Sequence, residues 1–588
     1  MYLRFTARKN ADGSVVRYVA LAHNVRVNGQ VKPDVLKNLG RVDQLDVDGL
    51  RRLAASIRRH FGDPDGKADS LDGAAGEAVG AGPLEVVDSR PVGACWLLDG
   101  LWRRIGVDDA LAGIVGRRRF TTDVERVLFA LVANRAIEPM SKYSAAEWVS
   151  DDVIVPGLEA MEDQHAYRAM DLLVDADAEA KVQEAVFFSV AHLFNLEVDL
   201  LFFDTTSTYW ERDTPEEGED AFRVYGKSKD HRDDLPQIVI GLAVTKQGIP
   251  VRVWCWPGNT GDQSVLPQVK DDMRDWRLGR VITVVDRGFS SAENLAYLRR
   301  AGGHYIAGMR MRDGNKLCQA ALSRQGRFQD VRDNLRVKEV KLDESGDQRF
   351  IICFNPEQAA RDKTLREQAI ARIEFELDQI AAQRQRDAKR FTTAPDDTAK
   401  NKAKNKAKNK KAKAEAEAAH IKAECELRDH RSLGRWIRQQ KNGRLVIDRA
   451  KIKAEERLDG KYLLATSDPD ITAEEAALGY KNLLEAERGF RDMKSTLDLR
   501  PVHHRLERRI RAHVLLCWLA LLLIRIAERE TGQTWPRINR ETGRLAQVTL
   551  TGPAGTVTQT TPLRPAQTAI YQALQVDPPP RIRAFDPS

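Results

Sequence analysis

Between Val198 and Arg310 the apolar pattern switches between a period of two and a period near 3.6, and this switching constrains the fold more than any other feature of the chain. VDLLFFDTTSTYW is an apolar, β-branched and aromatic run, and LPQIVIGLAVTKQGIPVRVWCWPG gives two strands about a Lys-Gln-Gly turn. The helical segment SVLPQVKDDMRDWRL follows, then the strand RVITVVDRGF, the helix SSAENLAYLRRAGG and the strand HYIAGMR. Three strands, a helix, a strand, a helix and a strand predict an α/β core that opens with a three-stranded antiparallel meander.

The flanks divide by composition. Residues 1–62 read as a small β-rich module punctuated by DGS and NGQ turns, with helical periodicity from Leu45 to about Phe61. Residues 63–90 are rich in Gly, Ala and Asp and read as a linker. Residues 91–197 are helical. There the basic run Arg117–Arg119 precedes a helix that Thr121 or Thr122 can cap. That segment is either a DNA-binding element or an ordinary helical domain with solvated arginines. The core spans 198–310 and resumes over 458–530, with the strand GKYLLATS and one long helix from about Ala473 to Leu497. Residues 311–457 form a large α/β insertion. Its block AKNKAKNKAKNKKAK, Ala399–Lys413, carries eight lysines and no acid. Without an apolar stripe, this block is a solvated helix or a tether, serving as a spacer or as a DNA contact by counterion release. The Thr-, Pro- and Gly-rich residues 531–588 read as a poorly ordered C-terminal tail.

At 588 residues the chain needs several domains. Its 93 Lys and Arg against 86 Asp and Glu leave a net charge of +7, which permits nucleic acid as a partner without requiring it. The six cysteines, Cys95, Cys255, Cys318, Cys353, Cys425 and Cys517, show no C-x-x-C pair and no metal-ligand spacing, as in a reduced cytosol. The start MYLRFTARKNADGS lacks the apolar stretch of a signal peptide. The apolar run Val514–Ile524 falls short of the roughly 20 residues that span a bilayer and reads as a buried core helix. The expectation is a soluble, cytoplasmic protein with no membrane partner.

Three carboxylates stand out. Asp204 closes the apolar run LLFFD and Asp286 closes VITVVD, so two core strands each end on an acid. Strands often end in Asp at turns, and either residue alone means little. On the later helix, Tyr480, Glu487, Arg491 and Lys494 are spaced so that all four lie on a single helix face. An exposed, salt-bridged helix face would read the same way.

FFDTTSTYW, VVDRGF, and Y-x6-E-x6-K followed by RPVHH resemble the bacterial insertion-sequence transposases of the DDE class, in the cut-and-paste branch with a Tyr–Arg–Glu–Lys signature. Tyr480, Glu487 and Lys494 match that signature, whereas Leu483 stands at its arginine position. The resemblance implies a ribonuclease H-like catalytic core, Asp204, Asp286 and Glu487 as catalytic and metal-binding residues, and Tyr480, Arg287, Arg491 and Lys494 as DNA contacts. It also implies Mg²⁺ as cofactor, with Mn²⁺ able to substitute. The partner it implies is double-stranded DNA, both inverted-repeat ends and target, bound by a homodimer, with cleavage passing through a hairpin. Thr205 and Thr206 are candidates to bond the metal-site carboxylates or a phosphate. His503 and His504 lack the spaced partners of a zinc site and read as a DNA contact or a polar turn.

Chemically, three carboxylates suit a hard divalent ion, which takes oxygen ligands and keeps waters. Two such ions activate an attacking oxygen and stabilise a leaving one in displacement at phosphorus. The alternative is a transposase-derived, sequence-specific DNA-binding protein without catalysis, which Leu483 leaves open. A repair nuclease on the same fold is a further alternative, disfavoured by the long N-terminal region and the insertion.

Overall fold

A computed structural model describes residues 2–9, 15–27, 30–41, 45, 49–50, 84–115, 123–175, 178–196, 198–211, 214–218, 220–274, 276, 280–312, 314–392, 402–500 and 502–587. The chain divides into two compact units, Met1–Gly279 with Leu483–Ser588, and Arg280–Asn482. The basic run 117–119, Thr121, Thr122 and most of the helical stretch expected after Leu45 lie outside the described residues.

In the first unit, strands β1 (Tyr2–Lys9), β2 (Val15–Val27) and β3 (Gln30–Arg41) make an antiparallel sheet in that order. Strand β4 (Glu85–Pro91) leads into helices α1 (Gly93–Arg104), α2 (Val107–Val115), α3 (Val124–Ile137), α4 (Lys142–Glu147), α5 (Asp163–Asp175) and α6 (Ala178–Leu193). The N-cap of α3 is Asp123, whose carboxylate accepts from the backbone N–H groups of Glu125 and Arg126. Next come β5 (Leu200–Tyr209), β6 (Gln237–Thr245) and β7 (Pro250–Pro257), the expected antiparallel meander, and helix α7 (Asp262–Arg274). Every residue of β6 is buried, because the meander is covered on both faces. The Lys246–Gly248 turn closes with Gly248 at φ 75°, a left-handed conformation that glycine adopts at little cost.

In the second unit, β8 (Ile282–Val285) runs parallel to β9 (His304–Met309), joined by helix α8 (Ala292–Arg299). After α9 (Lys316–Ser323), strands β10 (Gln329–Arg332), β11 (Leu335–Lys341) and β12 (Arg349–Phe354) continue the same sheet. Helices α10 (Pro356–Thr392) and α11 (Lys402–Arg428) pack together against the small hairpin β13 (Ile437–Gln439) and β14 (Leu445–Ile447), followed by α12 (Arg449–Glu456). Ile373, Trp436, Ile437 and Leu445 are buried in this helical arm's own core. Strand β15 (Lys461–Thr466) then inserts between β12 and β9, giving the order β10-β11-β12-β15-β9-β8. The first part of the insertion is therefore sheet, and only the arm from α10 to α12 leaves it. From Lys402 onward the lysine-rich block is helix.

Helix α13 (Ala473–Lys481) ends the second unit with a capping box at Thr472 and Glu475. The chain turns at Asn482 and Leu483 before α14 (Leu484–Ser495), so the single helix expected over 473–497 is two helices. In α14 the buried stripe is Ala486, Gly489, Phe490 and Met493. A Cβ at Gly489 would lie 2.8 Å from Leu242 Cδ2, so glycine lets α14 sit close on β6. Helix α15 (Glu507–Thr531) is long and apolar enough to cross a membrane, yet 94% of its apolar window is buried, which makes it a core helix.

The tail is ordered, contrary to expectation. Helices α16 (Trp535–Thr542) and α17 (Pro565–Ala573) and strands β16 (Ala546–Gly552), β17 (Gly555–Thr560) and β18 (Ile582–Pro587) form there. The sheet order β18-β17-β16-β4 also claims 85–90, which the sequence assigns to linker. Threonines read as disorder instead pair across strands, Thr551 with Thr556 at 2.8 Å.

Candidate active site

In the first unit, Asp204 lies in the middle of β5, opposite Leu242, and not at the strand's end. The run continues because Thr205, Thr206 and Thr208 are β-branched and suit a strand as well as the residues before them. Asp204 is half-buried among fully buried neighbours. Its Oδ1 accepts from the backbone N–H of Thr205 at 2.7 Å.

A cation already stands beside this carboxylate. Lys229 Nζ is 3.7 Å from Asp204 Oδ1 and 3.4 Å from Asp262 Oδ2, and it donates to the Thr205 carbonyl at 2.7 Å. Thr205 Oγ1 donates to Asp262 Oδ1 at 2.6 Å. Asp262 is the first residue of α7, where a carboxylate is favoured by the helix dipole. The next residue, Asp230, receives Lys494 Nζ at 2.8 Å and Arg500 Nη1 at 2.8 Å. Burial pulls the Lys494 ammonium below its usual pKa, with Asp230 opposing the shift. One loop, Lys227–Asp234, thus links β5, α7 and α14 through adjacent charges of opposite sign.

Glu487 and Arg491 are exposed on α14, on the side where Lys494 meets Asp230. Leu483, at the signature arginine position, is buried at the entry to α14. Arg488 is committed to Glu528 at 3.0 Å.

In the second unit, Asp286 does end its strand, and the Phe289 N–H bonding the Asp286 carbonyl closes the turn. Tyr480 on α13 donates its hydroxyl to Asp286 Oδ1 at 3.0 Å, while its ring stacks on Tyr462 at 6.0 Å. Gly308 on β9 permits this, since a Cβ there would stand 2.3 Å from the Tyr480 oxygen. Arg287 is exposed beside Asp286. The structure therefore brings Tyr480 to Asp286, Thr205 to Asp204 and Asp262, and Lys494 to Asp230.

Sequence reasoning missed Lys229, Asp230 and Asp262. The only signal was the charge density of KSKDHRDD and an acid opening a helix after the turn PGNTG. Among the described residues no group of three or more His, Cys, Asp or Glu side chains is placed to hold a metal ion by protein ligands alone. Asp204 nonetheless fits a cation, because an ammonium already occupies that role between it and Asp262.

Asp204 thus lies within a buried strand of the first unit, Asp286 follows a strand of the second unit, and a Glu- and Lys-bearing helix follows the insertion. Residues 199–523 match the family model of the transposase DDE domain, more than half of the chain, and the protein belongs to that family. Residues 3–69 match the N-terminal domain of IS1634 family transposases, which makes it a bacterial insertion-sequence transposase. Among solved structures it is similar to a cryo-EM structure of the piggyBac transposase synaptic complex with hairpin DNA, at 12% identity and a TM-score of 0.33, covering 78% of this chain and 82% of that one. No curated protein matches it.

Proposed function

We propose that this transposase cleaves DNA at the inverted-repeat ends of its element and joins the freed 3′ ends to target DNA, with Asp204, Asp286 and Glu487 as its catalytic carboxylates. The observation that carries this reading is Asp204 itself: a carboxylate within a buried strand, already provided with a positive partner. A strand interior tolerates a carboxylate only where it is paired or hydrogen-bonded, which singles Asp204 out among the buried residues of β5.

The three carboxylates would hold Mg²⁺, with Mn²⁺ substituting. Bound divalent ions supply activation of the attacking oxygen and stabilisation of the leaving one. Mg²⁺ keeps waters and accepts substrate phosphates, so the protein need provide only part of the coordination sphere. The remaining work belongs to side chains. Thr205 orients Asp204 and Asp262, and Tyr480 fixes the Asp286 carboxylate. Exposed Arg287 and Arg491 are placed to meet DNA phosphates, and Lys494 is held ready by Asp230. In this reading the core is ribonuclease H-like. The antiparallel β5-β6-β7 meander and the parallel β8-β9 pair joined by a helix support it.

The Tyr–Arg–Glu–Lys branch, a cut-and-paste route through a hairpin, action as a homodimer and a cytoplasmic setting belong to the same proposal. The test is strand cleavage of end-labelled inverted-repeat DNA in Mg²⁺ by the full chain. Cleavage should disappear in Asp204→Ala, Asp286→Ala and Glu487→Ala while DNA binding persists. Undiminished cleavage in any of the three removes that residue from the site. Specific binding without cleavage by the wild type would favour the DNA-binding alternative.

A further inference from the structure

A second polar site lies in the first unit, and neither Asp204 nor Asp262 lines it. A cavity of about 170 Å³ opens between the end of α3, the start of α4, α5 and α15. Its deep wall is basic: Arg135, Lys142, His504 and His513 all line it and are all buried, at 5%, 3%, 9% and 4% exposure. Asp498 and His503 stand at its exposed rim.

The polar atoms of this wall are unevenly satisfied. Arg135 Nη1 donates to the carbonyls of Leu497 and Asp498 at 3.3 and 3.2 Å, and His513 Nε2 contacts the Leu499 carbonyl at 3.3 Å. Lys142 Nζ, Arg135 Nε and His513 Nδ1 are buried and have no hydrogen-bond partner among the described residues. A buried ammonium without an acceptor costs several kcal/mol, so such a group persists where something supplies the missing charge. Burial, reinforced by Arg135, pulls the Lys142 ammonium down to about 7, and burial pushes both His504 and His513 well below their usual values. Near neutral pH both imidazoles are therefore uncharged and Lys142 is poised between its two forms, so an anion entering the cavity would favour the protonated lysine. No buried carboxylate stands in the wall, and Asp498 stays at the rim.

Size limits the ligand. At about 30 Å³ of liquid per water, the cavity holds a handful of waters. It falls below the roughly 300–1,000 Å³ of pockets for drug-sized ligands. A tetrahedral oxyanion fits these limits and a nucleoside does not. Its oxygens match a wall of ammonium, guanidinium and imidazole donors.

We propose that the Arg135–Lys142–His504–His513 cavity is an oxyanion site that takes one phosphate group. The phosphate comes either from a DNA backbone or from free inorganic phosphate, and the same chemistry serves both. The proposal does not rest on the assignment of the catalytic carboxylates.

The test uses the full chain without DNA or divalent metal, titrated with inorganic phosphate at fixed ionic strength and followed by melting temperature and calorimetry. Phosphate should raise the melting temperature saturably, and chloride at equal ionic strength should not. Lys142→Met keeps the side chain's bulk and removes the unpaired charge. It should melt at or above the wild type without phosphate and bind phosphate at least about tenfold more weakly, as expected for one lost charge-assisted hydrogen bond. His504→Gln should weaken phosphate binding in the same direction. Absence of a phosphate-specific shift in the wild type, or its full retention in Lys142→Met, overturns the proposal. A duplex oligonucleotide identifies the source. Competition by phosphate and weaker duplex binding by Lys142→Met assign the site to the DNA backbone, whereas unchanged duplex binding assigns it to free phosphate.

Discussion

The Tyr480 hydroxyl donates to Asp286 Oδ1 at 3.0 Å, and Gly308 is the residue that leaves it room. The tyrosine is thus a positioning residue for a carboxylate, rather than only the DNA contact that its signature position implies. Tyr480→Phe keeps the ring stacked on Tyr462 and removes one hydrogen bond to a charged group, worth about 1.5–3 kcal/mol. If Asp286 is catalytic, cleavage should fall about 10- to 100-fold with DNA affinity unchanged. Gly308→Ala should cost about 1–3 kcal/mol of stability by overpacking and lower cleavage too, because the new methyl displaces the hydroxyl. Equal loss of DNA affinity in Tyr480→Phe would return the tyrosine to DNA contact.

Lys229 stands where Asp204 and Asp262 would otherwise repel each other. Lys229→Met should therefore lower the melting temperature without metal and enlarge the stabilisation by Mn²⁺, because a competing ammonium is gone. Thermal melts across a Mn²⁺ titration decide this. An Mn²⁺ response identical to that of the wild type would mean that the lysine and the ion do not share a place.

Lys142 predicts a pH dependence. Its pKa is about 7 in the folded protein against about 10.5 when exposed, so between these values the unfolded chain binds more protons and stability rises with pH. Below about pH 7 both states are protonated and the burial penalty is felt in full. Above about 10.5 neither is protonated and the penalty is gone. In phosphate-free buffer, the stability advantage of Lys142→Met over wild type should shrink from pH 7 to pH 10, by up to about 1.4 kcal/mol per pH unit. Denaturant melts at matched pH values provide the measurement, and a constant difference would show that Lys142 does not titrate in that window.

Much of this architecture is legible in the sequence, because apolar periodicity reports burial directly. The order from β5 to β9 follows from period changes, and the Lys-Gln-Gly turn from its glycine. Two readings failed where a local signal is ambiguous. Helical periodicity runs through Asn482 and Leu483, yet both helices end there. Asp204 closes an apolar run, but the threonines after it extend the strand. The tail failed for a different reason. Its threonines and glycines carry no apolar stripe, and the hairpin is held by pairing with β4, more than 450 positions earlier in the chain. Among the candidate residues, Asp286 and its strand end could be read directly. Lys229, Asp230 and Asp262 could not, because a charge run in a loop reads as solvated until folding brings it to its partners.

Asp230 offers the sharpest separation of structure from DNA contact. Its carboxylate receives Lys494 and Arg500, and the Lys494 side chain is only 12% exposed. Asp230→Asn leaves that largely buried ammonium with a neutral partner. Breaking a fully buried pair costs about 3–5 kcal/mol, and the loss here should be smaller because Asp230 retains 22% exposure. The freed lysine would then have no carboxylate competing with a phosphate for it. DNA affinity at low salt should hold or rise while stability falls, and the dependence of binding on salt should steepen, since one more counterion is released. Binding isotherms at several salt concentrations, read beside a denaturant melt, separate the effects. A parallel fall in stability and DNA affinity, with an unchanged salt slope, would make the Asp230 pair purely structural.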